Sequence, residues 1–407
     1  MRKLLQINVV SNLLSTGVIT EDIAKVASAR GWECYVAYTR AAKPGASKEI
    51  KIGNKVDTIV HFCENRLFDN EGLSSRIVTK RFVRKIKRIN PDIVHLHNIH
   101  DHYLNYKILF EFLNQTEIKV VWTFHDFWAV TGHCHHFVDA TCEKWKTQCT
   151  NCPLQHSTVN SAIDRSTRNF ELKKRLFTAN KYLTIVPVSY WVGEMVKQSF
   201  LKDKRIVVIP NGINVDFFTH SAAPINVIIP NDKFIILAVA REWAPGDRKG
   251  FDEYIKLSHL MSSDEVIVLV GIKPSQKDSL PSNIIGIERT MNQGELISIY
   301  RQADVLLSLS SAETFGLTIV EANACGVPAV VYDNTAPPLL ITPKTGLVAI
   351  NGNIEDVYRK VQRIKQNGKE YYREACIEHV KAHYNKDICF NRYVDLYEDL
   401  LSLNTAD

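Results

Sequence analysis

Two stretches of the 407-residue chain concentrate residue types that do chemistry. The first, GHCHHFVDATCEKWKTQCTNCP (132–153), holds four of the nine cysteines and three of the fourteen histidines. Its spacing is Cys134-x7-Cys142-x6-Cys149-x2-Cys152. The closing C-x2-C presents two thiolates from one tight turn, as a tetrahedral zinc ion requires. Four thiolates would fill the shell and leave no place for water, so the expected metal is a structural zinc. His133, His135 or His136 could replace one thiolate, and free thiols or two disulfides are the alternatives.

The second stretch is SLSSAETFGLTIVEANACGVPAVVYD (308–333). A strand is expected to end near Ser310 and a helix to begin near Phe315. The backbone N–H groups of Phe315, Gly316 and Leu317 would then face an anion, with the helix dipole behind them. Gly316 has no Cβ, so a phosphate can come close. Glu313 stands at the helix mouth and Glu321 about two turns deeper, spaced to grip both ends of an elongated ligand. No Asp-X-Asp is present to hold a divalent ion against phosphates, so no catalytic metal is expected.

Such groups need strand ends to carry them. KLLQINVV (3–10), CYVAY (34–38), TIVHF (58–62), DIVHLH (92–97), KVVWTFH (119–125) and LTIVPVS (183–189) read as strands. A second series runs FIILAVA (234–240), EVIVLVG (265–271), NIIGI (283–287), DVLLSLS (304–310) and VPAVVY (327–332). Helical patterns lie between them, such as ITEDIAKVASARG (19–31), and the stretch 370–402 reads as helix. The alternation predicts two α/β, doubly wound, Rossmann-like domains facing across a cleft, with ligands at the carboxyl ends of strands. The expected boundaries are 1–205, with a Cys-rich insertion at about 132–156, then 206–385. A helix over 386–407 is expected to pack back on the first domain.

Composition excludes other classes. With 45% apolar and 23% charged residues the chain is globular, and no apolar run approaches the ~20 residues that span a bilayer. The N-terminus reads as a first strand rather than a signal peptide. Cysteines outside the cluster are scattered singly, as in a reducing cytoplasm. SSRIVTKRFVRKIKRIN (74–90) reads as a basic amphipathic surface helix, with peripheral contact to an anionic membrane as the sharper alternative. Eight of the fourteen histidines fall between His95 and His136. His95 and His97 are assigned to opposite sides of their strand. His100, Asp101 and His102 follow it in a loop. Ser189 and Trp191, after another strand end, are ambiguous between site and scaffold.

The run around Glu313 resembles the E-x7-E signature of retaining GT-B glycosyltransferases of family 4. AREWAPGDRKG is similar to that family's R…K-G segment, and IPNGINVDFF (209–218) to its entry into the C-terminal domain. PDIVHLH (91–97) and VWTFHDFW (121–128) resemble its N-terminal strands. STGVITEDIAKVASARGWEC (15–34) resembles the glycine loop of its colanic-acid and capsular-polysaccharide branch, though Thr16 stands where many relatives have a second glycine. The resemblance implies the GT-B architecture and transfer from a nucleotide sugar, a UDP-sugar, to a glycan or lipid-linked acceptor. It implies catalytic roles for His125, near the anomeric carbon, and for Glu313, on donor-sugar hydroxyls. Arg241, Lys249 and the amides of Phe315, Gly316 and Leu317 would hold the diphosphate, Glu321 the ribose, and Gly17 would admit the phosphates to the first loop. His100, Asp101 and His102 become candidates for acceptor contacts. The competing readings are a sugar-nucleotide epimerase of the same architecture and a metal-dependent hydrolase using His125 and Asp126. A zinc-containing nucleic-acid binder leaves both glutamates unexplained, so no nucleic-acid partner is expected.

Overall fold

A computed structural model describes residues 1–221, 223–225 and 229–402. The chain divides into two compact units, residues 1–210 with 387–407, and residues 211–386. The first is built on strands β1 (Lys3–Ile7), β2 (Glu33–Tyr38), β3 (Lys48–Lys51), β4 (Ile93–Leu96), β5 (Lys119–Phe124), β6 (Leu183–Pro187) and β7 (Arg205–Ile206). The second has β8 (Phe234–Val239), β9 (Glu265–Val270), β10 (Ile284–Ile287), β11 (Val305–Ser308), β12 (Ala329–Tyr332) and β13 (Gly346–Ala349). Helices of the first unit are α1 (Leu14–Ala29), α2 (Lys55–Phe68), α3 (Arg76–Ile89), α4 (Tyr106–Leu113), α5 (Ser166–Ala179) and α6 (Tyr190–Lys197). The second unit has α7 (Val215–His220), α8 (Phe251–Ser258), α9 (Gln293–Gln302), α10 (Leu317–Ala324), α11 (Ile354–Asn367) and α12 (Glu370–His383), and α13 (Lys386–Ser402) completes the first.

The sheet orders are β3-β2-β1-β4-β5-β6-β7 and β10-β9-β8-β11-β12-β13, parallel throughout. Each is a doubly wound Rossmann-like sheet. β5 and β9 are buried at every position, as expected of strands covered on both faces. In each sheet the winding reverses once, between β1 and β4 and between β8 and β11. The crevice beyond the carboxyl ends at such a reversal is where doubly wound sheets bind ligands. Helix α13 packs Cys389, Phe390, Tyr393 and Tyr397 against Leu4, Ile23, Trp32 and Val121 of the first unit.

Several expectations are corrected. TIVHF (58–62) is not a strand but the middle of α2. Asn54 accepts the N–H groups of Val56 and Asp57, and Asp57 returns a bond to the Asn54 N–H. This capping box outweighs the β-branched run. The stretch 370–402 is two helices, interrupted where Tyr384 and Lys386 exchange backbone bonds with Ile213. His95 and His97 do not face opposite sides. Residues two apart on a strand share a face, and their rings lie 4.0 Å apart. The stretch 210–232 carries the short helix α7, and residues 222 and 226–228 of it lie outside the described residues. Strands β3, β7 and β13 were not foreseen. Helix α10 begins at Leu317 rather than Phe315.

Candidate active site

In the second unit, Arg241 follows β8 and Glu313 follows β11, on the two sides of the winding reversal. Lys249 closes the loop that Arg241 opens. Asp247 shapes that loop, accepting the N–H of Ala244 at 2.8 Å and of Lys249 at 3.0 Å. Trp243 anchors it, buried and bonded through Nε1 to the Val270 carbonyl at 2.8 Å. Ser311 N–H bonds the Arg248 carbonyl at 2.9 Å, tying the loop to the one after β11. Gly250, with φ +81°, then starts α8 against β11, and a Cβ there would lie 2.3 Å from the Leu309 carbonyl oxygen.

This framework brings Lys249 Nζ onto Glu313 Oε1 as an ion pair. Ser310 Oγ donates to the same oxygen at 3.1 Å, and Glu313 N–H donates to Thr335 Oγ1 at 3.2 Å. Arg241 is exposed. Gly316, with φ +115°, caps α10. Phe315 is buried against Tyr384, so its side chain is scaffold and its backbone is what remains for a ligand. Glu321 is partly buried and accepts from Tyr300 Oη at 2.9 Å. Burial pushes its carboxyl up to about 7, opposed by the Tyr300 hydroxyl.

In the first unit, Gly17 is misassigned to a loop. It is buried in the first turn of α1, where a Cβ would lie 3.0 Å from Val10 Cγ2. It serves close packing of the helix on the loop after β1. His125 lies just past β5, at the end of a hydrogen-bonded chain. Gln6 Nε2 donates to the Thr20 carbonyl at 2.7 Å, so Gln6 Oε1 accepts from His97 Nε2–H at 3.1 Å. Neutral His97 then carries its lone pair on Nδ1, which accepts His125 Nε2–H at 3.1 Å. Burial lowers the His125 pKa to about 4, with Asp126 opposing. Burial likewise holds His97 well below 6.5. The chain therefore sets the tautomer of His125 and keeps it neutral.

A second polar cluster adjoins it. His100 Nε2 donates to Asp126 Oδ2 at 2.9 Å, and His135 lies between Asp126, at 3.7 Å, and Glu71, at 3.4 Å. Despite burial, which alone would raise Glu71 and Asp126, the neighbouring imidazoles hold both carboxyls well below their usual range. Glu71, His100 and His135 offer ligand atoms within 4.8 Å of one another. In the loop after β4, Asp101 pairs with Arg40 and lies 3.7 Å from His102 Nδ1, while His102 Nε2 reaches Asn65 at 3.2 Å and its ring stands edge-on to His61. Ser189 caps α6 by accepting Val192 N–H at 3.2 Å, and Trp191 packs edge-on against Phe127, which makes both scaffold groups. Gln6, Glu71 and Tyr300 escaped the sequence reading, because each acts through a partner distant in the chain.

The four cysteines Cys134, Cys142, Cys149 and Cys152 line one space together with His133. None is in a disulfide.

The family model described as Glycosyltransferase Family 4 matches residues 16–217, and that of Glycosyl transferases group 1 matches residues 225–383. The putative colanic acid biosynthesis glycosyl transferase WcaC of Escherichia coli (strain K12) is 24% identical over 76% of this chain and 77% of its own. The alpha-monoglucosyldiacylglycerol synthase of Acholeplasma laidlawii is 27% identical over 73% of this chain and 72% of its own. Among solved structures, Anabaena HepE in complex with UDP and glucose superposes with a TM-score of 0.62 at 13% identity, covering 98% of this chain and 100% of that one.

Proposed function

Because the chain belongs to the GT-B glycosyltransferases, a family 4 half followed by a group 1 half, we propose that it moves a sugar from a UDP-sugar to a polysaccharide or lipid-linked oligosaccharide, with retention. What supports this reading is the Lys249–Glu313 pair and the Gly316-capped helix at the reversal between β8 and β11, with Arg241 in the loop that follows β8. Breaking the sugar–phosphate bond puts positive charge on the ring and negative charge on the departing diphosphate. Arg241, Lys249 and the amides of Phe315, Gly316 and Leu317 stabilise that diphosphate. When it binds, Lys249 exchanges the Glu313 carboxylate for a phosphate. Glu313 is then released to accept a hydrogen bond from the donor sugar. Glu321, an acceptor when ionised, takes the ribose hydroxyls. The UDP and glucose held by HepE support the choice of donor.

We assign acceptor recognition to the first unit, where His125 and the Glu71–His100–Asp126–His135 cluster converge beyond β4 and β5. Peripheral membrane contact belongs to the same reading. Among the described residues no helix is long and apolar enough to cross a membrane. Yet α2 exposes Val56, Ile59, Val60 and Leu67 at helical spacing, and α3 exposes Ile77 with Lys80, Arg81 and Arg84. An apolar stripe beside a basic one suits an anionic bilayer surface. Co-sedimentation with anionic vesicles should be strong and should fall with salt. Equal binding to neutral vesicles would remove the electrostatic part.

The donor is tested by thermal shift across a panel of nucleotide sugars, followed by transfer assays with those that stabilise. Isomerised donor without transferred sugar would favour the epimerase reading instead.

A further inference from the structure

Sugar transfer leaves the segment 132–153 unexplained. We propose that it holds one zinc ion through the thiolates of Cys134, Cys149 and Cys152 and Nε2 of His133, with Cys142 outside the shell. All four cysteines and His133 line one small space with room for a single water-sized occupant, about 10 Å³. Cys134 and Cys149 are buried there and Cys152 lies beside His133, whereas Cys142 is half-buried. Gly132 N–H points at Cys149 Sγ from 3.3 Å, a bond that favours a thiolate over a thiol.

His133 is the independent observation. It is 2% exposed, and its Nδ1–H donates to Asp69 Oδ2 at 2.7 Å. The lone pair is therefore on Nε2. That atom is buried without a hydrogen-bond partner, in a residue that lines the thiol-bounded space and interacts with Cys152. A carboxylate on one imidazole nitrogen and a metal on the other is the usual way a zinc-bound histidine is oriented. Asp164 clusters with this pair, but its oxygens already accept Cys152 N–H at 2.7 Å and Ser166 N–H at 2.8 Å. It positions a ligand rather than being one.

The ion would brace a segment that contains little regular structure. Within that segment, the His135 carbonyl accepts Phe127 N–H at 3.0 Å, and the His135 ring closes the cluster with Glu71 and Asp126. The metal thereby fixes a loop that completes the polar site beyond β5, without entering the chemistry.

Full-length protein purified without chelators or metal-affinity resin tests this by elemental analysis and zinc-edge X-ray absorption. The expected result is about one zinc per chain with three sulfurs at about 2.3 Å and one nitrogen at about 2.0 Å. Cys142→Ser keeps the zinc, while His133→Ala and Cys149→Ser lower it at least tenfold. If those two variants fail to fold, the wild-type absorption spectrum decides alone. A shell of four sulfurs, or zinc lost from Cys142→Ser and kept by His133→Ala, overturns the ligand assignment. Metal-free protein with freely titrating thiols and a melting temperature indifferent to EDTA overturns the site.

Discussion

Lys249 and Glu313 form an ion pair across 64 residues of chain, joining the loop after β8 to the loop after β11. Both side chains are partly exposed, so the pair adds at most about 1 kcal/mol to stability. Its residues matter for charge placement. Lys249→Ala is expected to lower kcat by about 10²-fold or more, the scale of losing one preorganised group at a developing charge. The melting temperature should stay within a few degrees. Wild-type turnover in this variant would remove Lys249 from the site.

Gly316 combines a φ of +115° with a tight environment, a Cβ there meeting Ile319 Cδ1 at 2.9 Å. Gly316→Ala should cost about 2 kcal/mol through backbone strain and weaken nucleotide binding by displacing the amides that start α10. Calorimetric melting together with UDP titration checks both. An unshifted melting temperature would contradict the strain.

Burial pushes the Glu321 carboxyl up to about 7, and the ionised form is the stronger acceptor for ribose hydroxyls. Affinity for UDP should rise from pH 6 to pH 8. The Tyr300 bond pulls that pKa down, so Tyr300→Phe should move the transition to higher pH. Glu321→Gln should bind weakly with no transition in that range. Isothermal titration across pH separates the three.

Four imidazoles, the buried His61, His95 and His97 and the partly buried His125, are held below the ordinary value of 6.5, His61 and His125 to about 4. Burial, which disfavours the charged ring, is the main cause in each. The unfolded chain takes up protons first, so their contribution is complete above pH 6.5. It is lost as pH falls toward 4, by up to about 1.4 kcal/mol per unit for each group. His133 and His135, raised to about 9 and about 10, stay charged in the folded protein and oppose this slope near pH 7, but below about pH 5.5 the unfolded rings are charged too and the opposition ends. Urea midpoints should fall steadily from about pH 6 to pH 4.5, and a flat profile would contradict the burial of neutral rings.

The donor half of the site was legible because its parts are local. Glu313, Gly316 and Glu321 lie within one strand–turn–helix unit, and Arg241 and Lys249 within one loop. The acceptor half was not. Glu71 meets Trp128 and Gln6 meets His97 through chain separations of 57 and 91 residues, which spacing does not reveal. Gly17 was placed in a loop rather than in the first turn of α1 because a glycine that permits helix packing and one that opens a turn look alike in sequence. TIVHF was misread because its β-branched residues hid a capping signal four residues upstream.

The central claim is that sugar leaves a nucleotide diphosphate at the reversal between β8 and β11. Its most direct test is transfer of radiolabelled sugar from the stabilising nucleotide sugar to a glycan or lipid-linked acceptor, comparing wild type with Glu313→Gln at saturating donor. The account predicts labelled product from wild type and a loss of at least about 10²-fold in the variant, with the fold intact. Equal transfer by both proteins would contradict it.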